Sequence, residues 1–152
     1  MLLTELLSVE RVRVPLLARS KDAVLEELVA VLVEAGVVDD AAATLRAVRK
    51  READLSTGIG GGVAIPHGKS DSADGLAMAA GVAAEPVDFD SLDGEPVRLF
   101  FLLVGPESAA GMHVKALARI SRLVRAEETR ARLAGAASAA EFMAVVAETE
   151  AA

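Results

Sequence analysis

Two long apolar runs most constrain what this chain can fold into. Residues 76–84 and 97–104 are apolar with few interruptions. Both runs are well short of the roughly 20 residues that a membrane-spanning helix needs. Residues 97–104 lack the polar alternation of a half-exposed strand, so they predict a strand that is buried on both faces. A sheet built on such strands has to be covered by helices, which predicts an α/β fold.

Helical patterns flank these strands in the sequence. Apolar residues recur at helical intervals from Ser20 to Gly36, which predicts a first helix that ends at Gly36. A second helix is predicted to begin at Asp39 or Asp40. The later helical segments start at Gly111, cover Glu127–Ala134 and begin with the capping box Ser138–Glu141. The chain has 152 residues, which is the size of one ordinary domain, so we expect a single domain over residues 1–152.

Composition and charge exclude several kinds of partner. The chain has 16 Lys and Arg against 23 Asp and Glu, which gives a net charge of −7. An acidic chain without basic tracts is a poor ligand for nucleic acid or for an anionic membrane surface. Its start carries Glu5 inside an apolar stretch, which is not typical of a signal peptide. We therefore expect a cytoplasmic protein that is not itself embedded in a membrane.

The scarcity of reactive side chains narrows the chemistry. The chain has no Cys and only two histidines, His67 and His113. The lack of Cys excludes disulfides, thiol nucleophiles and Cys-containing zinc sites. Two histidines without a local pattern of carboxylates are a weak signal for a metal, and we expect neither a metal nor another cofactor. Chemistry near neutral pH by an unperturbed side chain then falls to one of the two imidazoles.

A glycine-rich segment lies just before His67. Glycines occupy positions 58, 60, 61 and 62, which excludes a helix and predicts a tight turn with an exposed backbone. A nucleotide-binding motif does not fit, because Val63 stands where G-x-G-x-x-G needs its third glycine and no G-K-[ST] follows. A concave backbone of this kind can hold an anion, with Ser56 and Thr57 close in sequence. The alternative is a glycine-rich turn with a purely structural role.

His67, His113 and Arg51 are the candidate site residues, and each has a plainer alternative. His67 follows a short predicted strand and could project its ring into a pocket. His113 lies at the start of a predicted helix, where the positive helix end favours a neutral imidazole and a nearby anion. Arg51 precedes the glycine-rich segment, where a guanidinium could bind phosphate with two hydrogen bonds. The alternatives are packed or capping histidines and a solvated arginine; a Ser-His-Asp hydrolase lacks the G-x-S-x-G elbow.

Taken together, these motifs resemble the A component (EIIA) of the bacterial phosphoenolpyruvate-dependent sugar phosphotransferase system, in its fructose/mannitol-type family. The resemblance covers essentially the whole chain, and its most specific part is the segment that ends in Pro66 and His67. The matching blocks, in chain order, are Arg51–Glu52, Ser56–Gly60, Gly62–His67, Phe89–Val97, Leu99–Leu102, Pro106–Glu107, His113 and Leu117.

The resemblance implies a fold and a set of site residues. The implied fold is a single α/β domain in which helices flank a mixed β-sheet on both sides. His67 corresponds to the histidine that carries the phosphoryl group, as a tele-phosphohistidine. His113 corresponds to the second pocket histidine, which donates a hydrogen bond to that group, and Arg51 corresponds to the arginine that stabilises it. The remaining expected ligands of the phosphoryl oxygens are the loop amides with Ser56, Thr57 and Gly58.

The implied function is that of a phosphocarrier. Such a protein accepts a phosphoryl group from the phosphocarrier HPr and passes it to a B component, EIIB. The alternative is a nitrogen-type regulatory EIIA, whose phosphorylation state controls its binding to other proteins. A third hypothesis is a phosphate- or metal-binding protein with no relay role. For the surface around His67 we expect an acidic, apolar character, which would suit a donor with a basic rim.

Overall fold

A six-stranded mixed β-sheet forms the centre of the molecule, in a computed structural model that describes all of residues 1–152. The strands are β1 (Val12–Leu16), β2 (Gly58–Gly60), β3 (Val63–Ala64), β4 (His67–Lys69), β5 (Ala77–Val87) and β6 (Val97–Gly105). Their order is β1-β5-β6-β3-β2, and β4 also pairs with β6. The β5–β6 and β2–β3 pairs are antiparallel, and the other pairs are parallel.

Five α-helices cover the sheet. They are α1 (Lys21–Glu34), α2 (Ala41–Asp54), α3 (Ala110–Leu123), α4 (Glu127–Ala134) and α5 (Ala139–Ala151). One buried apolar cluster joins α1 and α2 to one face of the sheet, and a second joins α3, α4 and α5 to the other face. The prediction of a mixed sheet with helices on both sides is thus confirmed. None of these helices is both long enough and apolar enough to cross a membrane.

Strand β6 shows why its sequence is an unbroken apolar run. Successive side chains of a strand point to opposite faces of the sheet. Leu99, Phe101 and Leu103 belong to the cluster under α3 to α5, whereas Phe100 and Leu102 belong to the cluster under α1 and α2. All five side chains are at most 2% exposed. The predicted burial of this strand on both faces is therefore confirmed.

The predicted helix starts agree with the caps in the structure. The hydroxyl of Ser20 accepts a hydrogen bond from the amide of Ala23, and Asp40 accepts one from Ala43. Ser138 accepts from the amide of Glu141, whose carboxylate in turn accepts from the amide of Ala137. The reciprocal bond of this cap therefore reaches one residue further back than a standard capping box would have it.

The structure departs from the sequence-based expectation around the glycine-rich segment. Gly58–Gly60 is not only a turn but also the edge strand β2, which pairs with β3 across a turn of three glycines with positive φ. His67 does not merely follow a strand, because it begins β4 and pairs with Leu103. These strands are too short to show a sequence period. β4 pairs with an edge of β6, and β2 pairs with β3, which in turn pairs with β6.

Gly68 lets β4 lie directly against the backbone of α2. A Cβ at this position would come within 2.9 Å of the Val48 nitrogen and 3.0 Å of the Ala47 carbonyl carbon. Both are backbone atoms of α2, so they cannot give way as the end of a flexible side chain would. The side chain of His67 is thus held next to the last two turns of α2.

We expect Gly68→Ala to destabilise the protein by about 1–3 kcal/mol, because the added methyl group has to push α2 away from β4. The measurement is the free energy of unfolding in urea. Gly75→Ala is the matched control, since nothing lies within 4 Å of a Cβ at Gly75, and its effect should stay within about 0.5 kcal/mol. Equal effects of the two substitutions would contradict the close contact described above.

Candidate active site

Two helices and one strand enclose a pocket of about 610 Å³. His67 and Lys69 of β4 lie in its wall, and α2 and α3 form its sides. Each helix contributes residues at positions i, i+3, i+4 and i+7, which form one helical face. These residues are Ala47, Lys50, Arg51 and Asp54 of α2 and Ala110, His113, Val114 and Leu117 of α3. The structure therefore brings His67, His113 and Arg51 together, as expected from the sequence.

The hydrogen bond of His67 determines which ring nitrogen can react. Nδ1 lies 3.0 Å from the carbonyl oxygen of Ile65. A carbonyl oxygen can only accept, so Nδ1 carries the hydrogen and the neutral ring has its lone pair on Nε2. The bond joins residues i and i−2 across Pro66, and it also orients the imidazole. His67 therefore presents Nε2 as a nucleophile or a base.

His113 packs edge-to-face against His67. The ring centroids lie 5.0 Å apart, with an angle of 70° between the ring planes. Burial lowers the pKa of His113 below its ordinary value, and the nearby charges of His67 and Lys69 lower this pKa further. The lowered pKa favours the neutral form of His113, which the sequence predicted from the helix start, although burial is its main cause in the structure. A neutral imidazole can donate one hydrogen bond to an anion in the pocket.

Basic side chains outnumber acidic ones around the pocket. Lys50, Arg51 and Lys69 line it, and Asp54 is the one carboxylate among the lining residues. One guanidinium nitrogen of Arg51 donates to the carbonyl oxygen of Leu55 at 2.8 Å, which ties the side chain to the end of α2. The expectation of an acidic surface around His67 is wrong, because the net charge of −7 is not spread evenly over the molecule.

Ser56, Thr57 and Gly58 do not line this pocket, although the sequence placed them close to His67. The hydroxyl of Ser56 donates to the carbonyl oxygen of Phe89 at 2.8 Å. The amide and the hydroxyl of Thr57 both donate to the carboxylate of Glu52. Gly58 packs against Ser91. Both hydroxyls already have partners. Thr57 supports the end of α2, whereas Ser56 and Gly58 contact the segment of residues 89–91.

Glu52 is the buried anchor of that support. Its carboxylate is 4% exposed and lies 3.0 Å from Nζ of Lys21, in addition to its two hydrogen bonds from Thr57. A buried carboxylate needs such partners, since an unpaired one would be costly. Through these contacts Glu52 holds the last turn of α2, which carries Arg51 and Asp54, against the start of β2.

The glycine turn holds an anion that belongs to the chain itself. The amide of Gly61 donates to the carboxylate of Asp93 at 3.1 Å. Backbone hydrogen bonds from Glu95 and Gly61 lower the pKa of Asp93. The turn lies at the start of β6, because the carbonyl oxygen of Gly62 accepts from the amide of Leu99. His67 pairs with Leu103, four residues further and about 13 Å along the strand.

Sequence reasoning missed Lys50, Asp54 and Lys69 as pocket residues. The signal for the first two was present, since positions 50, 51 and 54 fall on one face of α2. Lys69 stands two residues after His67 on the same strand, so both side chains point to the same side. No group of three or more His, Asp or Glu side chains comes together anywhere in the chain to suit a metal ion.

The chain matches a family model over residues 5–149, with the description "Phosphoenolpyruvate-dependent sugar phosphotransferase system, EIIA 2". The chain belongs to this EIIA family. It is 41% identical over 138 residues to the fructose-specific EIIABC component of Bacillus subtilis, covering 91% of this chain but only 22% of that protein. It is 37% identical to a nitrogen regulatory protein of Bradyrhizobium diazoefficiens, covering 95% and 94% of the two chains.

Solved structures of EIIA proteins share the fold. The nitrogen regulatory protein IIA-Ntr of Neisseria meningitidis superposes with a TM-score of 0.87 at 33% identity, over 95% of this chain and 98% of that one. The mannitol enzyme IIA of Escherichia coli, in its complex with phosphorylated enzyme IIB, superposes with a TM-score of 0.80 at 21% identity, over 93% and 97%. The mixed sheet with helices on both sides is thus the fold of this family.

We expect the pKa of His113 to lie below its ordinary value of 6.5 when it is followed by NMR in a pH titration. His67→Gln should raise this pKa part of the way, because it removes a neighbouring charge but not the burial. The folded protein binds fewer protons at this site than the unfolded chain does, so its free energy of unfolding should fall as the pH drops through 6.5. A pKa of His113 at or above 6.5 in the wild type would contradict a desolvated ring.

Proposed function

We propose that this protein is a phosphocarrier of the sugar phosphotransferase system, which accepts a phosphoryl group from phosphorylated HPr on Nε2 of His67 and passes it to EIIB. The hydrogen bond from Nδ1 of His67 to Ile65 carries this proposal, because it leaves the nucleophilic Nε2 free in a pocket lined by basic side chains. The membership of the EIIA family agrees with it. We take residues 1–152 as one EIIA domain.

The transfer needs no change of oxidation state and no metal. The lone pair of Nε2 attacks the phosphorus of the donor's phosphohistidine, and a new N–P bond forms in line with the one that breaks. The electron pair of the broken bond returns to the donor imidazole. The proton on Nδ1 of His67 stays in its hydrogen bond to Ile65, whose carbonyl oxygen stabilises the positive charge that the ring acquires. The second transfer, to EIIB, reverses these roles.

The pocket residues stabilise the group while it is held. A phosphoryl group on His67 carries up to about two negative charges. The neutral ring of His113 can donate a hydrogen bond to one of its oxygens. One guanidinium nitrogen of Arg51 donates to the carbonyl oxygen of Leu55. The other N–H groups of this guanidinium can donate to a second phosphoryl oxygen. Asp54 opposes this attraction, which keeps the group from being bound too tightly to leave.

The nitrogen-type regulatory function remains the second candidate, and a specific observation favours it. The nitrogen regulatory relative covers almost the whole of this chain and is itself covered almost completely. In the regulatory function His67 is phosphorylated by the same chemistry, and the phosphorylation state of the protein then controls its binding to another protein. Genes for EIIB and EIIC next to this one would favour transport, and a sigma-factor gene would favour regulation. Both versions place the protein in the cytoplasm.

We expect the wild type to gain an acid-labile mass increment of one phosphoryl group when it is incubated with phosphoenolpyruvate, Enzyme I and HPr. His67→Ala should stay unmodified, because it lacks the accepting nitrogen. His113→Ala should still accept the group but transfer it more slowly, by about ten- to a hundredfold, since one hydrogen bond to a charged group is lost. An unmodified wild type, or a His67→Ala variant modified to the same extent, would refute the proposal.

The ring nitrogen that carries the group is a separate prediction. The bond from Nδ1 to Ile65 predicts phosphorylation on Nε2, the tele position. Nitrogen-15 and phosphorus-31 NMR of the phosphorylated protein distinguish the two isomers, and the signal of free phosphate is the internal control. A phosphoryl group on Nδ1 would mean that the bond to Ile65 breaks on phosphorylation.

A further inference from the structure

Lys69 lines the pocket but is not one of the residues that contact the phosphoryl group in the proposed transfer. It is separated from His67 by one residue of β4, and side chains two apart on a strand leave it on the same side. Both side chains line the same pocket. Lys69 therefore brings a positive charge to the side of the ring on which a phosphoryl group would be held.

The partner of Lys69 is Glu107, which lies just outside the pocket. Nζ of Lys69 is 2.8 Å from a carboxylate oxygen of Glu107, in a single 3-10 turn (Glu107–Ala109) that leads into α3. The side chains are 66% and 77% exposed. Ion pairs this exposed contribute little to stability, because water screens both charges. The pair is therefore easily given up for a better partner.

The charge of Lys69 already acts on the interior of the pocket. The pKa of His113 is lowered chiefly by burial, and the positive charge of Lys69 contributes to the remainder. The ammonium group is thus within electrostatic reach of the His113 ring even while it is paired with Glu107.

We propose that Lys69 is a phosphoryl-binding residue that exchanges its partner, pairing with Glu107 when His67 is free and with the phosphoryl group when His67 carries it. The inference rests on the proposed function. A group with up to about two negative charges attracts an ammonium more strongly than one exposed carboxylate does. The exchange leaves Glu107 unpaired at the start of α3, so a partner protein meets a different charge pattern in each state.

The test uses the purified full chain and four single variants. Lys69→Met removes the charge and keeps the length of the side chain, and Lys69→Arg keeps the charge. Glu107→Gln removes the competing carboxylate. Lys115→Met is the matched control, because Lys115 is exposed on α3 but does not line the pocket. The readout is the equilibrium ratio of phosphorylated to free protein with HPr and its phosphorylated form.

An equilibrium readout separates binding of the group from docking of the donor. The equilibrium constant depends only on the free forms of the two proteins, so any effect of a variant on docking cancels. We expect Lys69→Met to lower the constant by about five- to tenfold, the loss of one partly exposed charge-assisted contact. Lys69→Arg and Lys115→Met should stay within about twofold of the wild type.

Glu107→Gln should raise the constant by about two- to threefold, because Lys69 no longer has to leave a partner. At least half of this gain should vanish when Lys69→Met is also present, since the two residues act through one contact. The proposal is overturned if Lys69→Met matches Lys115→Met, or if the gain from Glu107→Gln is the same with and without Lys69.

A second experiment needs no phosphoryl donor, so it tests the role of Lys69 separately from the proposed function. If the wild type is not phosphorylated at all, the proposed function fails, and inorganic phosphate then serves as the probe. Binding is followed by the NMR signals of His113, and the exchange predicts a dissociation constant about five- to tenfold higher for Lys69→Met than for Lys115→Met. No detectable phosphate binding, or equal binding by the two variants, overturns the role of Lys69.

Discussion

The pairing of β6 on both of its edges is the contact on which the rest of the structure depends. One edge holds β5 in an antiparallel pair, and the other holds β3 and β4 in parallel pairs with the same offset of 36 residues, Val63 to Leu99 and His67 to Leu103. Because the register is the same on both sides of Pro66, β3 and β4 run in the same direction along one edge of β6. The position of His67 along the sheet is thus set by hydrogen bonds to a strand that is buried on both faces. Since α2 rests on β4 at Gly68, the same pairing also sets the distance between His67 and Arg51.

The pocket concentrates positive charge in an acidic chain. Lys50, Arg51 and Lys69 lie around two imidazoles, and burial together with the neighbouring charges lowers the pKa of His113. A neutral His113 adds a hydrogen-bond donor without adding a further full charge, and Asp54 offsets part of the attraction. Such a balance agrees with the proposed phosphocarrier function, because a stronger positive field would lower the free energy of a bound dianion and slow its release.

Most of the helical framework could be predicted from local sequence. Ser20, Asp40 and Ser138 each cap a helix as expected, because a capping side chain bonds an amide only three residues away. The strands β2, β3 and β4 could not be predicted with the same accuracy. They contain three residues or fewer, too few for an apolar period, and only their pairing with one another and with β6 makes them strands.

The site divides in a similar way. The sequence alone limited chemistry by an unperturbed side chain near neutral pH to two histidines, since no thiol is present and His is the side chain that titrates in that range. It also identified His67, His113 and Arg51 as candidate site residues. Only the tertiary structure decided that Ser56 and Thr57 face inward to Phe89 and Glu52, and that the glycine turn holds Asp93 rather than a ligand. The physical reason is that residues close in sequence are separated in space when an extended strand lies between them. The glycine turn lies beside Leu99 of β6, whereas His67 lies beside Leu103.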